Sequence, residues 1–192
     1  VDVINNYYQV NINNLKNKSE ILELNILIAN CLKSNYKFKE SIGYYTNALS
    51  YVGNNENKKI EIYSSLSSCC YRINDLNNTK IYAKLAIERL YENKSLKGFF
   101  IEALVNLGRA FISEGDTNKA LGYLEKALFL AKKESDNSLT IPQIYSEIGK
   151  CYDLLGQYDK ALIVKNNALK AAISKLKKGS KNIVSYQNSI AL

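Results

Sequence analysis

The chain has 192 residues, 46% of them hydrophobic, with 26 Lys and Arg against 18 Asp and Glu for a net charge of +8. That length and composition are enough to bury most of the unfolded surface of one ordinary domain. There is no His, which removes every mechanism that needs an imidazole base or ligand, and the apolar runs are broken well short of the ~20 residues that span a bilayer. Met is also absent; this reads as a missing translation start, and so as a piece of a longer chain.

In chain order, Ile4, Tyr7, Tyr8, Ile12 and Leu15 have the steps of a helix within residues 1–20, read as an N-terminal helix or partial repeat. Four related units follow, at 21–52, 60–91, 101–134 and 142–178. The kinship is clearest between LGRAFISEGDTNKALGYLEKALFLA from 107 and IGKCYDLLGQYDKALIVKNNALKAA from 148. Across the four units Ala48, Ala86, Ala127 and Ala168 align at spacings of 38, 41 and 41 residues. Self-similarity at such a period predicts a solenoid, because each unit buries its apolar face only against its neighbours.

Within each unit apolar residues step by three and four, which predicts two helices. Leu107 with Phe111 and Ile148 with Tyr152 fall on first helices; Phe38, Ile42, Tyr45, Ala48 and Leu49 fall on a second one. The turns NYK, NDLNN, EGDTN and GQYD are rich in residues that accept a left-handed helix cap. Gly115 and Gly156 suit that conformation, Asn74 can imitate it, and Tyr36 is expected to resist it. After LKKGSK, residues 183–192 read as a C-terminal capping helix or the start of a fifth repeat.

The skeleton resembles the tetratricopeptide repeat family, whose units carry small residues at their eighth, twentieth and twenty-seventh positions. Here the eighth is Ala29, Ser67, Gly108 and Gly149, and the twentieth is Ser41, Thr79, Ala120 and Ala161. The chain departs in lacking Trp at position four, in lacking Pro near the end of the second helix, and in repeats longer than 34 residues. The resemblance implies an all-α, right-handed superhelical α-solenoid of stacked helix-turn-helix hairpins, with the extra residues in the second helix and its exit loop.

Among candidate chemistry, Cys31, Cys69 and Cys151 share the tenth position of their units and Cys70 the eleventh, which reads as buried free thiols in a reducing, cytoplasmic setting. The basic cluster Lys170, Lys175, Lys177, Lys178 and Lys181 reads as a solvated helix end, since no aromatic rings are interleaved to stack bases, and nucleic acid is disfavoured as a partner. No nucleophile and base recur together, so no enzyme, cofactor or metal is expected.

If first helices line the concave side, as the resemblance implies, positions two, five, nine, twelve and thirteen are spared from packing. They include Glu23, Ile26, Asn30 and Lys33; Glu61, Ser64, Ser68, Tyr71 and Arg72; Glu102, Val105 and Arg109; and Lys150. Asn30, Lys33, Ser68, Tyr71, Arg72, Asn106, Arg109 and Lys150 are the expected contacts for an extended peptide or protein segment, offering amides, hydroxyls and cations to its backbone and acidic groups. The long repeats resemble those of bacterial regulators that sense signalling peptides. The alternative is an assembly scaffold joining subunits, identical ones included, through its convex face or end helix, where Ile183, Val184, Tyr186 and Ile190 cluster.

Overall fold

The computed structural model describes residues 17–89, 96–133 and 140–174. All regular structure among them is helical: α1 (Lys18–Ser34), α2 (Phe38–Leu49), α3 (Glu56–Arg72), α4 (Leu76–Glu88), α5 (Lys97–Ser113), α6 (Thr117–Lys133), α7 (Thr140–Leu154) and α8 (Tyr158–Ile173). The first helices begin earlier than the apolar pattern indicates. Asn17 and Asn55 set two of those starts: their side chains accept from the Glu20 and Lys58 backbone N–H groups at 2.8 and 3.1 Å, satisfying donors that an uncapped helix leaves orphaned. The readings for residues 1–16 and 183–192, and Lys175, Lys177, Lys178 and Lys181, lie outside the described residues.

Helices pair as hairpins and the hairpins stack: α1 on α2, α2 on α3, α3 on α4, α6 on α7 and α7 on α8. The chain is an all-α solenoid. It groups into two compact units, residues 1–103 and 104–192.

One joint closes all four hairpins. The N–H groups of Lys37, Asp75, Asp116 and Gln157 reach back to the carbonyls of Leu32, Cys70, Phe111 and Tyr152 at 2.9, 2.9, 2.9 and 2.8 Å. The residue before each donates to the next carbonyl along at 3.0 to 3.1 Å, which completes a Schellman cap. That cap requires a left-handed residue, and Tyr36 (φ 61°), Asn74 (φ 62°), Gly115 (φ 83°) and Gly156 (φ 68°) all supply it. Tyr36 thus corrects the expectation that its side chain would resist. Two backbone hydrogen bonds and an edge contact with Phe38, ring centroids 6.1 Å apart, outweigh a left-handed penalty of roughly 1–2 kcal/mol.

Small residues sit where helices cross, as expected. Ala29, Ser41 and Ala48 are buried in the first hairpin, and the Ser41 hydroxyl donates to the Ala29 carbonyl at 2.8 Å across the crossing. In residues 104–192 the closest approach is at Gly108, where an added Cβ would stand 2.7 Å from Leu124 Cγ. Cys69, Cys70 and Cys151 are buried free thiols, but Cys31 is exposed. Position ten is covered by the preceding hairpin's second helix, and among the described residues no helix precedes α1.

Candidate functional site

In residues 1–103 the outward side of α1 and α3 is tied by polar contacts. Lys33 Nζ donates to Ser65 Oγ at 3.4 Å and lies 6.0 Å from the Tyr45 ring centroid. Tyr45 is fully buried and its hydroxyl donates to Asn30 Oδ1; burial holds that phenol well above its usual range. Ser68 and Tyr71 are half-buried on the same helix. The first-helix acids Glu23 and Glu61 are bridged by one cation: Lys58 Nζ sits 3.1 Å from Glu23 and 3.3 Å from Glu61.

Residues 104–192 answer the same positions with full charges. Arg109 Nε donates to Glu147 Oε1 at 2.9 Å, and Lys150 Nζ to Glu147 Oε2 at 3.0 Å. One nearly buried carboxylate therefore anchors a cation from α5 and another from α7, and Lys150 is still 57% exposed at the side chain. The exposed Lys150 ammonium and the Arg109 guanidinium held beside it make this face attractive to anions.

Asn30, Lys33, Ser68 and Tyr71 share the face of α1 and α3, while Arg109 and Lys150 meet at Glu147. Arg72 stands apart from them, with its guanidinium 5.2 Å from the Phe38 ring centroid at the turn edge. Asn106 is a correction: at 1% exposure it is a core residue and presents nothing to a ligand. Position five is a second one, since Ile26, Ser64 and Val105 are buried. The reason is visible at Ser64, whose hydroxyl reaches the Phe99 carbonyl at 2.9 Å; position five faces the neighbouring first helix instead of solvent. Glu147 is the residue of this candidate face that sequence reasoning missed. The available signal was position six, occupied in turn by Leu27, Ser65, Asn106 and Glu147, with a basic residue three places after the acid.

Among the described residues no cluster of three or more His, Cys, Asp or Glu could hold a metal, and no helix is long and apolar enough to cross a membrane. Burial raises the Cys70 thiol to about 12, helped by Asp75, and the Cys151 thiol to about 11, helped by Glu147. Neither is an activated nucleophile.

The last two of the four caps, at Gly115 and Gly156, and the glycine crossings lie within residues 99–174, which match a family model, Tetratricopeptide repeat. Residues 99–174 match the tetratricopeptide repeat family, and the chain shares the fold of such repeats. No curated protein matches it by sequence. Similar solved structures include a Rap protein complexed with Competence and Sporulation Factor, at 20% identity and a TM-score of 0.77, covering 98% of this chain and 51% of that one. BtubC (BKLC) from P. vanneervenii is 17% identical with a TM-score of 0.71, over 87% of this chain and 70% of that one. The TPR-like repeats of a putative kinesin light chain from Podosopora anserina are 13% identical with a TM-score of 0.68, over 92% and 86%. The chain spans about half the length of the Rap protein. Tetratricopeptide repeats are a fold that supports protein–protein interaction.

Proposed function

We propose that these tetratricopeptide repeats form a cytoplasmic binding module that holds an extended, acidic polypeptide segment along the side lined by first helices. The observation that carries this reading is the Glu147 clamp, which holds Arg109 of α5 and Lys150 of α7 beside each other with the Lys150 side chain 57% exposed. A preorganised cation loses less side-chain freedom on binding a carboxylate than a free lysine does. Asn30, Lys33, Ser68 and Tyr71 serve the same end in residues 1–103 with neutral donors and one ammonium, and Arg72 serves at the turn rim. The Rap protein complexed with Competence and Sporulation Factor supports the finer reading, in which the chain is the sensory part of a larger peptide-responsive regulator.

The test is selection of binders from a displayed library of random dodecapeptides, followed by calorimetric titration of a selected peptide into the parent chain, Lys150→Glu and Arg109→Glu. Enrichment of Asp and Glu, with affinity lowered about tenfold or more in both variants, is the expected result. Selected peptides without acidic bias, or with unchanged affinity for both variants, would overturn the assignment.

A further inference from the structure

Two ion pairs lie along α7, and they turn opposite charges toward solvent. In the first, Glu147 is the covered member, its side chain 10% exposed against 57% for Lys150. In the second, Lys165 of α8 is the covered member, 16% exposed against 35% for Asp153, with its Nζ 2.8 Å from Asp153 Oδ2. The lysine reaches α7 across the buried Gly149, where an added Cβ would stand 2.9 Å from Lys165 Cγ. Glycine at this crossing therefore leaves a path for the stem, and the ammonium ends beside Asp153. Tyr45 holds the same place on α2 in the first hairpin, and its hydroxyl likewise reaches a first-helix side chain, Asn30. Lys150 and Asp153 are three residues apart and so are neighbours on one side of α7. That side shows a positive charge and, one turn further on, a negative one.

We infer that this side of α7 selects a segment of mixed charge, in which the acidic residue held by Lys150 is accompanied, two places away, by a basic residue held by Asp153. The inference rests on the binding reading given above and narrows its ligand from an acidic segment to one with paired opposite charges. Three residues of helix rise separate the two backbone positions by about 4.5 Å. Lys150 leans away from Asp153 toward Glu147, which widens the gap between the charged ends. Alternate side chains of an extended segment project to the same side about 6.6 Å apart, so an acid and a base two places apart fit the two charges. Lys165 engages Oδ2 of Asp153, and Oδ1 is the atom offered to the partner's base. A run of acids would instead set a carboxylate against Asp153, a repulsion that discriminates against it. Lys165 is thus a positioning residue, and Asp153 a specificity-determining one.

The test titrates an acidic dodecapeptide, selected on the full chain, in three synthetic forms that carry Lys, Gln or Glu two places before or after the acid whose neutralisation costs most affinity. On the parent, the Lys form is expected to bind about threefold or more tightly than the Gln form, and the Glu form more weakly still. In Asp153→Asn the preference for Lys should vanish, while Lys150→Glu should weaken all three forms. Equal affinities of the three forms for the parent overturn the inference, as does a preference for Lys that survives Asp153→Asn. If those results come with a loss of affinity in Lys150→Glu, the acidic-segment reading still stands; binding that ignores Lys150→Glu overturns both. Should Asp153→Asn fail to fold, the comparison of the three forms on the parent decides, since it needs no variant.

Discussion

The first two hairpins and the last two reach the same backbone with different side chains. Their first helices are nearly equal, at 17, 17, 17 and 15 residues, but the second helices α2 and α4 have 12 and 13 residues where α6 and α8 have 17 and 16. The first pair uses Tyr36 and Asn74 at the left-handed cap and Ala29 and Ser67 at the crossing; the last pair uses glycine at all four places. The first pair links its first helices through a neutral serine, the last through a carboxylate holding two cations. Hydrogen bonding fixes the turn and helix contact fixes the crossing, so residue identity at these places adjusts stability within a geometry already set. The family model matches residues 99–174, the stretch where the glycines are present.

The largest way to break this comparison is at the crossing. Gly108→Leu drives new atoms into Leu124 Cγ, a branched and buried neighbour, and is expected to cost about 3 kcal/mol in chemical denaturation. Gly149→Leu meets the flexible stem of Lys165 instead and should cost about 1 kcal/mol. Equal losses would contradict the distinction. Next comes the clamp: Glu147→Gln leaves Arg109 and Lys150 without their carboxylate and should lower stability by about 2 kcal/mol, a value held down by the exposure of Lys150. Ser65→Ala removes only a 3.4 Å contact and should cost under about 0.5 kcal/mol by the same measurement.

The thiols sharpen the comparison through pH. Cys70 and Cys151 bind their protons more tightly in the folded state, at about 12 and about 11, than the ordinary value of 9.0. Their contribution is therefore complete below pH 9 and is lost as pH rises through the folded values, because the unfolded chain ionises first. Cys70→Ala should flatten the decline of the unfolding free energy, measured in urea between pH 9 and 11, by roughly 1 kcal/mol per pH unit; parallel curves would refute it. The cap gives a further, modest effect. Tyr36→Gly relieves the left-handed backbone and should gain about 0.5–1 kcal/mol, while Gly115→Ala should lose about 1 kcal/mol, both read as shifts in thermal midpoint.

The hairpins, their register and the small-residue crossings were legible because period and side-chain size are one-dimensional signals. Tyr36 was misjudged because propensity describes a residue alone, while the Schellman cap is decided by donors on its neighbours. Cys31 is exposed although its repeat position implies burial, because burial at position ten comes from contact with another hairpin, as at Cys69, whose sulfur lies 3.6 Å from the Ser41 hydroxyl. On the candidate face, Arg109 and Lys150 could be read from helical spacing, but the carboxylate between them could not. Glu147 reaches Arg109 across a sequence separation of 38 residues, and only the fold brings the two side chains to 2.9 Å.

Because the same joint recurs, the turn inside a hairpin is also a place where the gene can be cut. A chain severed after Gly115 and rejoined at Gln157 would run from α5 straight into α8 through a left-handed glycine followed by a residue that already accepts this role, deleting one 41-residue module without inventing a new linker. Length in such a molecule is then an adjustable quantity, changed in whole units by recombination.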